Sequence, residues 1–120
     1  METRKLTLPH NHSSTTAELL ETLPSPEAFE TSAFLFSLTS DETRLRILYL
    51  LCHSEECVAN IAAYMDMTSP AVSHHLRILK NASIIRSKKL GKEVYYTLAD
   101  NEKATLMHSI IDATFNITHN

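Results

Sequence analysis

Apolar residues recur along most of this chain at the spacing of a helix rather than a strand. Thr15 to Leu23 forms a short predicted helix that Pro24 ends. Ser25-Pro26 restarts a helix with a capping serine, a proline at its first position and Glu27 in its first turn. That helix runs to about Leu38, with Phe29, Ala33, Phe34 and Phe36 as apolar members. Ser40-Asp41 opens a third, in which Leu45, Ile47, Leu48, Leu50 and Leu51 predict a broad buried face while Arg44 and Arg46 turn outward. A polar break follows at His53 to Glu56, then a short helix from Val58 to Met65 with Ile61 and Ala62 inward. Asp66-Met67-Thr68 reads as a turn. Ser69-Pro70 then starts a helix to about Asn81 whose residues Val72, Leu76 and Leu79 repeat at i, i+4 and i+7.

The pattern changes only once. Ile84 to Leu90 and Glu93 to Leu98 are β-rich, and the single glycine, Gly91, sits between them where a hairpin tip needs it. Asp100 to about Thr118 is a final helix. The predicted order is helix, helix, helix, short helix, helix, hairpin, helix, a mainly α fold with a small β-hairpin. Met1 to Ser14 is polar and reads as a flexible arm, and Thr15 to Asn120 as one domain, since 120 residues leave room for one core. No apolar run approaches the roughly 20 residues that span a bilayer. The arm has no apolar signal core, so the expected address is the cytoplasm, with no membrane partner.

Charge adds the first functional signal. The net charge is −3, which does not suit a protein that simply coats nucleic acid, but its distribution is uneven. Met1 to Asp66 holds four basic and ten acidic residues, Met67 to Ala99 six basic residues against Glu93 alone, and Asp100 onward one basic and three acidic. One basic block inside an acidic chain is the footprint of a local phosphate-binding surface. Within that block, two short helices joined by a tight turn and followed by a basic hairpin make a winged helix-turn-helix pattern. The second helix presents Ser69, Ala71, Ser73, His74, His75 and Arg77 around its apolar stripe. Short hydrogen-bonding side chains and one fork donor suit a helix entering the major groove. Arg77 and Lys80 lie further along, placed for phosphates, and Arg86, Lys88, Lys89 and Lys92 surround the hairpin tip, suited to backbone or minor-groove contact. Tyr95 and Tyr96 on the second strand read as packing residues, one in the core and one partly exposed.

The segments TRLRILYLL, EECVANIA, SPAVSHHLRILKNASII and RSKKLGKEVYYTLAD resemble the ArsR/SmtB family of metal-sensing repressors, over about Ser25 to Asn116. The resemblance implies a dimeric winged helix-turn-helix protein, paired through its first and last helices. It also implies a metal-free homodimer on a palindromic double-stranded operator and release by a metal ion, derepressing efflux or resistance genes. His74 occupies the place of a histidine in the family's reader motif.

Family members differ in where the metal binds, and two ligand sets are open here. The family's C-terminal site uses an aspartate with further ligands two, thirteen and sixteen residues on. Asp100 and Glu102 fill the first two positions, but Ala113 and Asn116 stand at the others, and alanine cannot ligate. The same helix offers His108, Asp112 and His119 at i, i+4 and i+11, within roughly 40° of one another at about 100° per residue. Two histidines and a carboxylate suit zinc above all, with cobalt, nickel or cadmium as alternatives, and a dimer partner could add its own copy of Asp100 or Glu102. The second set is Cys57, which matches a family ligand, with His10 and His12 of the arm and a fourth ligand from His53, Glu55 or water. Cys52 reads as a buried thiol in an apolar helix. A thiol or redox input at Cys52 and Cys57, or a metal-independent repressor, is the competing function. An enzyme is not expected: no Ser-His-Asp order, phosphate loop or HExxH is present, and so short a chain offers little room for a pocket.

Overall fold

The structure is a computed structural model, and it describes residues 9–10 and 14–119, without the side chains of Ser14 and His119. Its contacts divide the chain into two compact units, Met1–Leu35 and Phe36–Asn120. The first contains α1 (Ser14–Glu21) and most of α2 (Pro26–Ser37). Ser25 caps α2, its Oγ accepting the Ala28 N–H at 3.1 Å. Most of the expected arm lies outside the described residues.

The second unit holds α3 (Glu42–His53), β1 (Glu56–Cys57), α4 (Val58–Met65), α5 (Ser69–Asn81), β2 (Ile85–Leu90), β3 (Glu93–Leu98) and α6 (Glu102–His119). Its core is apolar throughout, with no buried polar or charged residue among those described. Ile47, Leu48 and Leu51 come from α3, Ile61 and Ala62 from α4, and Val72, Leu76 and Leu79 from α5. Ile84 and Ile85, then Ala104, Met107 and Ile111 of α6, complete it. Each large side chain buried in this way contributes about 1.5–3 kcal/mol relative to exposure. The buried face of α3 is narrower than its pattern predicts: Leu45 and Leu50 are only half-buried. Arg44 also departs from expectation. Its guanidinium folds back, Nε donating to the Leu38 carbonyl at 2.9 Å and Nη2 to that of Ser37 at 3.3 Å.

The turns explain how so compact a motif is made with one glycine. At the end of α4 the Met67 N–H reaches back to the Ala62 carbonyl at 3.0 Å, with Asp66 left-handed at φ 53°. Ile84 N–H to Leu79 carbonyl, 3.1 Å, closes α5 in the same way, with Ser83 at φ 63°. Both are the six-to-one closure that usually employs glycine, and short polar side chains tolerate it. Gly91 has φ +64° at the first of the two tip positions while Lys92 has no positive φ, the pattern of a type II′ hairpin turn.

The hairpin is part of a three-stranded antiparallel sheet of order β1-β3-β2. Strand β1 was not evident in the sequence. It pairs Glu56 with Tyr96 and Cys57 with Tyr95, fixing the wing's base to the start of α4. Tyr95 and Tyr96 are both half-buried, where one in the core and one partly exposed were expected. Cys52, expected to be buried, is only half so, and Cys57 is buried.

Asp41 caps α3, its Oδ2 accepting the Arg44 N–H at 2.9 Å. That bond is the main reason its carboxyl titrates below its ordinary value of 3.8. A depressed carboxyl pKa stabilises the fold above the unfolded value, and the contribution fades as pH falls through the folded one. Asp41→Ala is therefore expected to cost about 1 kcal/mol at neutral pH. In urea unfolding curves the gap from the native chain should shrink as the pH is lowered below the carboxylate range.

Candidate nucleic-acid interface and metal centre

Helix α5 starts at a Thr68 cap, whose Oγ1 accepts the Ala71 N–H at 3.3 Å, with Pro70 in the first turn and no acidic residue there. Burial of Val72, Leu76 and Leu79 turns the opposite face out. Ser69, His74, Arg77 and Lys80 are exposed, and Ala71 and Ser73 are half-buried beside them. His75 does not join this face. Its side chain is 16% exposed, with Nδ1 4.0 Å from Asp41 Oδ2 and its ring 5.4 Å from that of His74. Nδ1 is enclosed and makes no hydrogen bond among the described residues. Burial pushes its pKa below the ordinary 6.5, against the pull of Asp41. His75 thus packs the reader helix onto the start of α3.

In the wing, Arg86, Lys88, Lys89 and Lys92 are all exposed. Lys88 pairs with Glu55 at 3.3 Å, and Lys80 Nζ donates to Ser87 Oγ at 2.8 Å, so the wing is braced against both the β1 segment and the reader helix. Arg77, Arg86, Lys89 and Lys92 make no ion pair among the described residues. Together these cations form a basic surface spanning α5 and the β2–β3 hairpin.

A second cluster lies where α3 meets α6. His108 Nε2 is 3.0 Å from Asp112 Oδ2, one helical turn on, and His53 Nε2 is 3.5 Å from Asp112 Oδ1. One donor atom from each residue falls within 4.8 Å of the others. The two imidazoles lie edge to face, 5.2 Å between centroids, and the Tyr49 ring packs 4.8 Å from His53 and 4.9 Å from Phe115. The sequence pattern placed His108 and Asp112 together but assigned His53 to a different set, because only the packing of α3 on α6 brings it here. Asp100 and Glu102 are exposed ahead of this cluster and do not join it. Nothing is described of the His119 side chain, and His12 lies outside the described residues. His10 is exposed within the first unit, whereas Cys57 is buried in the second. Cys52, next to His53, has its thiol pushed up to about 11 by burial and by the charge of Asp112, which keeps it protonated at neutral pH.

A basic reader helix braced by a basic wing defines a winged helix-turn-helix DNA-binding protein. Solved structures share the fold: HlyU from Vibrio cholerae superposes with a TM-score of 0.67 over 78% of this chain and 97% of its own, at 22% identity. A homodimeric winged helix-turn-helix domain from Mycobacterium bovis gives 0.65 over 82% and 94%, at 23%. Residues 41–87 match the family described as bacterial regulatory protein, arsR family. The HTH-type transcriptional repressor SmtB of Mycobacterium tuberculosis is 31% identical over 107 residues, 87% of this chain and 77% of that protein. The chain belongs to the ArsR/SmtB family of metal-sensing regulators, which are not enzymes. It is also 40% identical over 80 residues (67% of this chain) to a transcriptional repressor SmtB homolog of Synechocystis, and 41% identical over 76 residues (62%) to a cadmium resistance regulatory protein CadC homolog of Staphylococcus aureus. The matches span 61% and 63% of those two relatives. Among the described residues no helix is long and apolar enough to cross a membrane.

The His75 geometry has a consequence for pH. Between its folded and unfolded pKa values the unfolded chain binds more protons, so stability rises with pH through about 6.5. Unfolding measured from pH 8 to pH 5.5 should show a smaller acid loss in His75→Gln than in the native chain. Equal losses would remove His75 from this role.

Proposed function

We propose that this protein is a homodimeric transcriptional repressor that binds a palindromic operator and is released from it by a transition-metal ion, zinc first. The observation that carries the DNA reading is the run of exposed cations across α5 and the wing, of which Arg77, Arg86, Lys89 and Lys92 make no ion pair among the described residues. Ser69, Ala71, Ser73 and His74 meet base edges in the major groove, while Arg77, Arg86, Lys89 and Lys92 meet phosphates. The first turn of α5 carries no acid, so its positive dipole end stays available to the DNA backbone.

The dimer is supported by apolar surface left uncovered in one chain. Leu106, Ile110, Ala113 and Ile117 form an i, i+4, i+7, i+11 stripe on α6, with Leu106 52% and Ile117 80% exposed. A neighbouring apolar cavity of about 320 Å³, lined by Leu45, Ile110, Ile111, Phe115 and three threonines, adds to it. A second copy covering α6 would set the spacing of the two reader helices, which must lie about 34 Å apart to meet successive major grooves.

The metal reading is supported by the family, by the cadmium resistance named for one relative, and by nitrogen and oxygen donors converging on α6. Such donors fit zinc, cobalt or nickel better than a thiolate cage. A bound ion would supply a cross-link between side chains that otherwise move separately. It shifts the dimer away from the DNA-competent geometry only by its difference in affinity for the two states, and near-complete release needs about 5.5 kcal/mol. The burial of Cys57 weighs against a redox input.

The test is fluorescence anisotropy of a labelled duplex from the protein's own upstream DNA. Binding in the range of about 10⁻⁸ M or tighter is expected at physiological salt, with release on adding one zinc per chain, retained in a Cys52→Ser/Cys57→Ser double variant. Arg77→Ala and Lys92→Ala should each lower the slope of log affinity against log salt by about 1. No preference over random DNA would refute the repressor reading. Binding unaffected by zinc, cobalt, nickel or cadmium would refute metal release.

A further inference from the structure

The geometry points to a metal site built within one chain from His53, His108 and Asp112, a three-ligand clamp that joins the end of α3 to the middle of α6. For its regulatory consequence it rests on the repressor reading; as a binding site it does not. Zinc at about 2.0–2.2 Å from nitrogen and oxygen ligands places tetrahedral neighbours about 3.3 Å apart. The Asp112 carboxylate already offers one oxygen to each imidazole at 3.0 and 3.5 Å. All three donors lie within 4.8 Å, so seating an ion asks only that the two rings close slightly. The side chains are 46%, 34% and 46% exposed, which leaves an entry path and a fourth position for water.

Two features of the surroundings favour a cation here rather than a plain ion pair. His53 is the last residue of α3, where the helix presents its negative end. Tyr49 packs on His53 and is held in turn by Phe115, so the His53 ring is oriented from one side by an aromatic wall.

The site's position gives it leverage. At its start, α6 is tied to the reader helix: Asn101 caps α6 through Oδ1, accepting the Ala104 N–H at 2.8 Å, and its Nδ2 donates to the Ser83 carbonyl just past α5 at 2.8 Å. A clamp two turns further along would fix the tilt of α6 against α3. In a dimer paired through α6 that tilt sets how far apart the two reader helices stand. The clamp needs neither Cys57 nor residues from a second copy.

Cobalt(II) titrated into the full-length apoprotein without DNA tests the site through the visible bands of four-coordinate cobalt. One ion per chain is expected. His53→Ala and the milder His53→Gln should each weaken binding by at least about 100-fold, since even partners of metal ligands are worth 10–100-fold. Cys57→Ser and a double Asp100→Ala/Glu102→Ala variant should bind as the native chain does. Circular dichroism checks that each variant is folded. Native affinity in both folded His53 variants, or no cobalt binding by the native chain, would overturn the site. The operator assay run on the same variants separates the two claims. Zinc release that persists unchanged in His53→Ala defeats the clamp's part in release and leaves the repressor reading standing. His53-dependent cobalt binding without any effect on DNA leaves the site standing and defeats its regulatory role.

Discussion

The face that the reader helix turns outward depends on one buried contact, the packing of Val72, Leu76 and Leu79 beneath it. These residues occupy one stripe, and the core, with α4 and β2 packed against α5, takes it up completely. A helix has one rotation about its axis that buries such a stripe, so the direction in which Ser69, His74 and Arg77 point is decided by hydrophobic burial rather than by anything polar. Asp41 acts at the edge of this contact. It caps α3 and also faces the enclosed side of His75, so the start of α3 and the orientation of α5 are coupled through one carboxylate.

The wing is held by different means. Two residues of β1 are enough to anchor β3, and the hairpin is then braced by Lys88 on Glu55 and Lys80 on Ser87. An exposed ion pair and an exposed hydrogen bond of this kind contribute little to stability. Their effect is on position: they leave four cations unpaired on the surface that continues from the reader helix. A chain with net negative charge thereby presents a positive face at α5 and the wing, which favours approach to a polyanion through that face.

Most of this was legible in the sequence because the periodicities are clean. The stripe of α5, the inward Ile61 and Ala62 of α4, and the glycine at the hairpin tip each follow from spacing and backbone preference. What was not legible depends on tertiary packing. A two-residue strand has no period, so β1 was hidden in a polar break. The fold-back of Arg44 onto two carbonyls cannot be read from a pattern that only says it lies opposite the apolar face. His53 was the most consequential case. It stands 55 residues before His108, and nothing in either segment signals that the end of α3 lies against α6. Within one chain, Asp100 just before α6 and Glu102 at its start lie apart from the cluster.

The central claim, that α5 and the wing act as one DNA-reading surface, is tested most directly by mapping amide chemical-shift changes when the isotope-labelled protein binds a duplex from its own upstream region. The account predicts the largest changes at Ser69 to Arg77 and from Lys88 to Glu93, with small changes in the interior of α3. Changes concentrated along α6, with α5 and the hairpin tip unmoved, would contradict it.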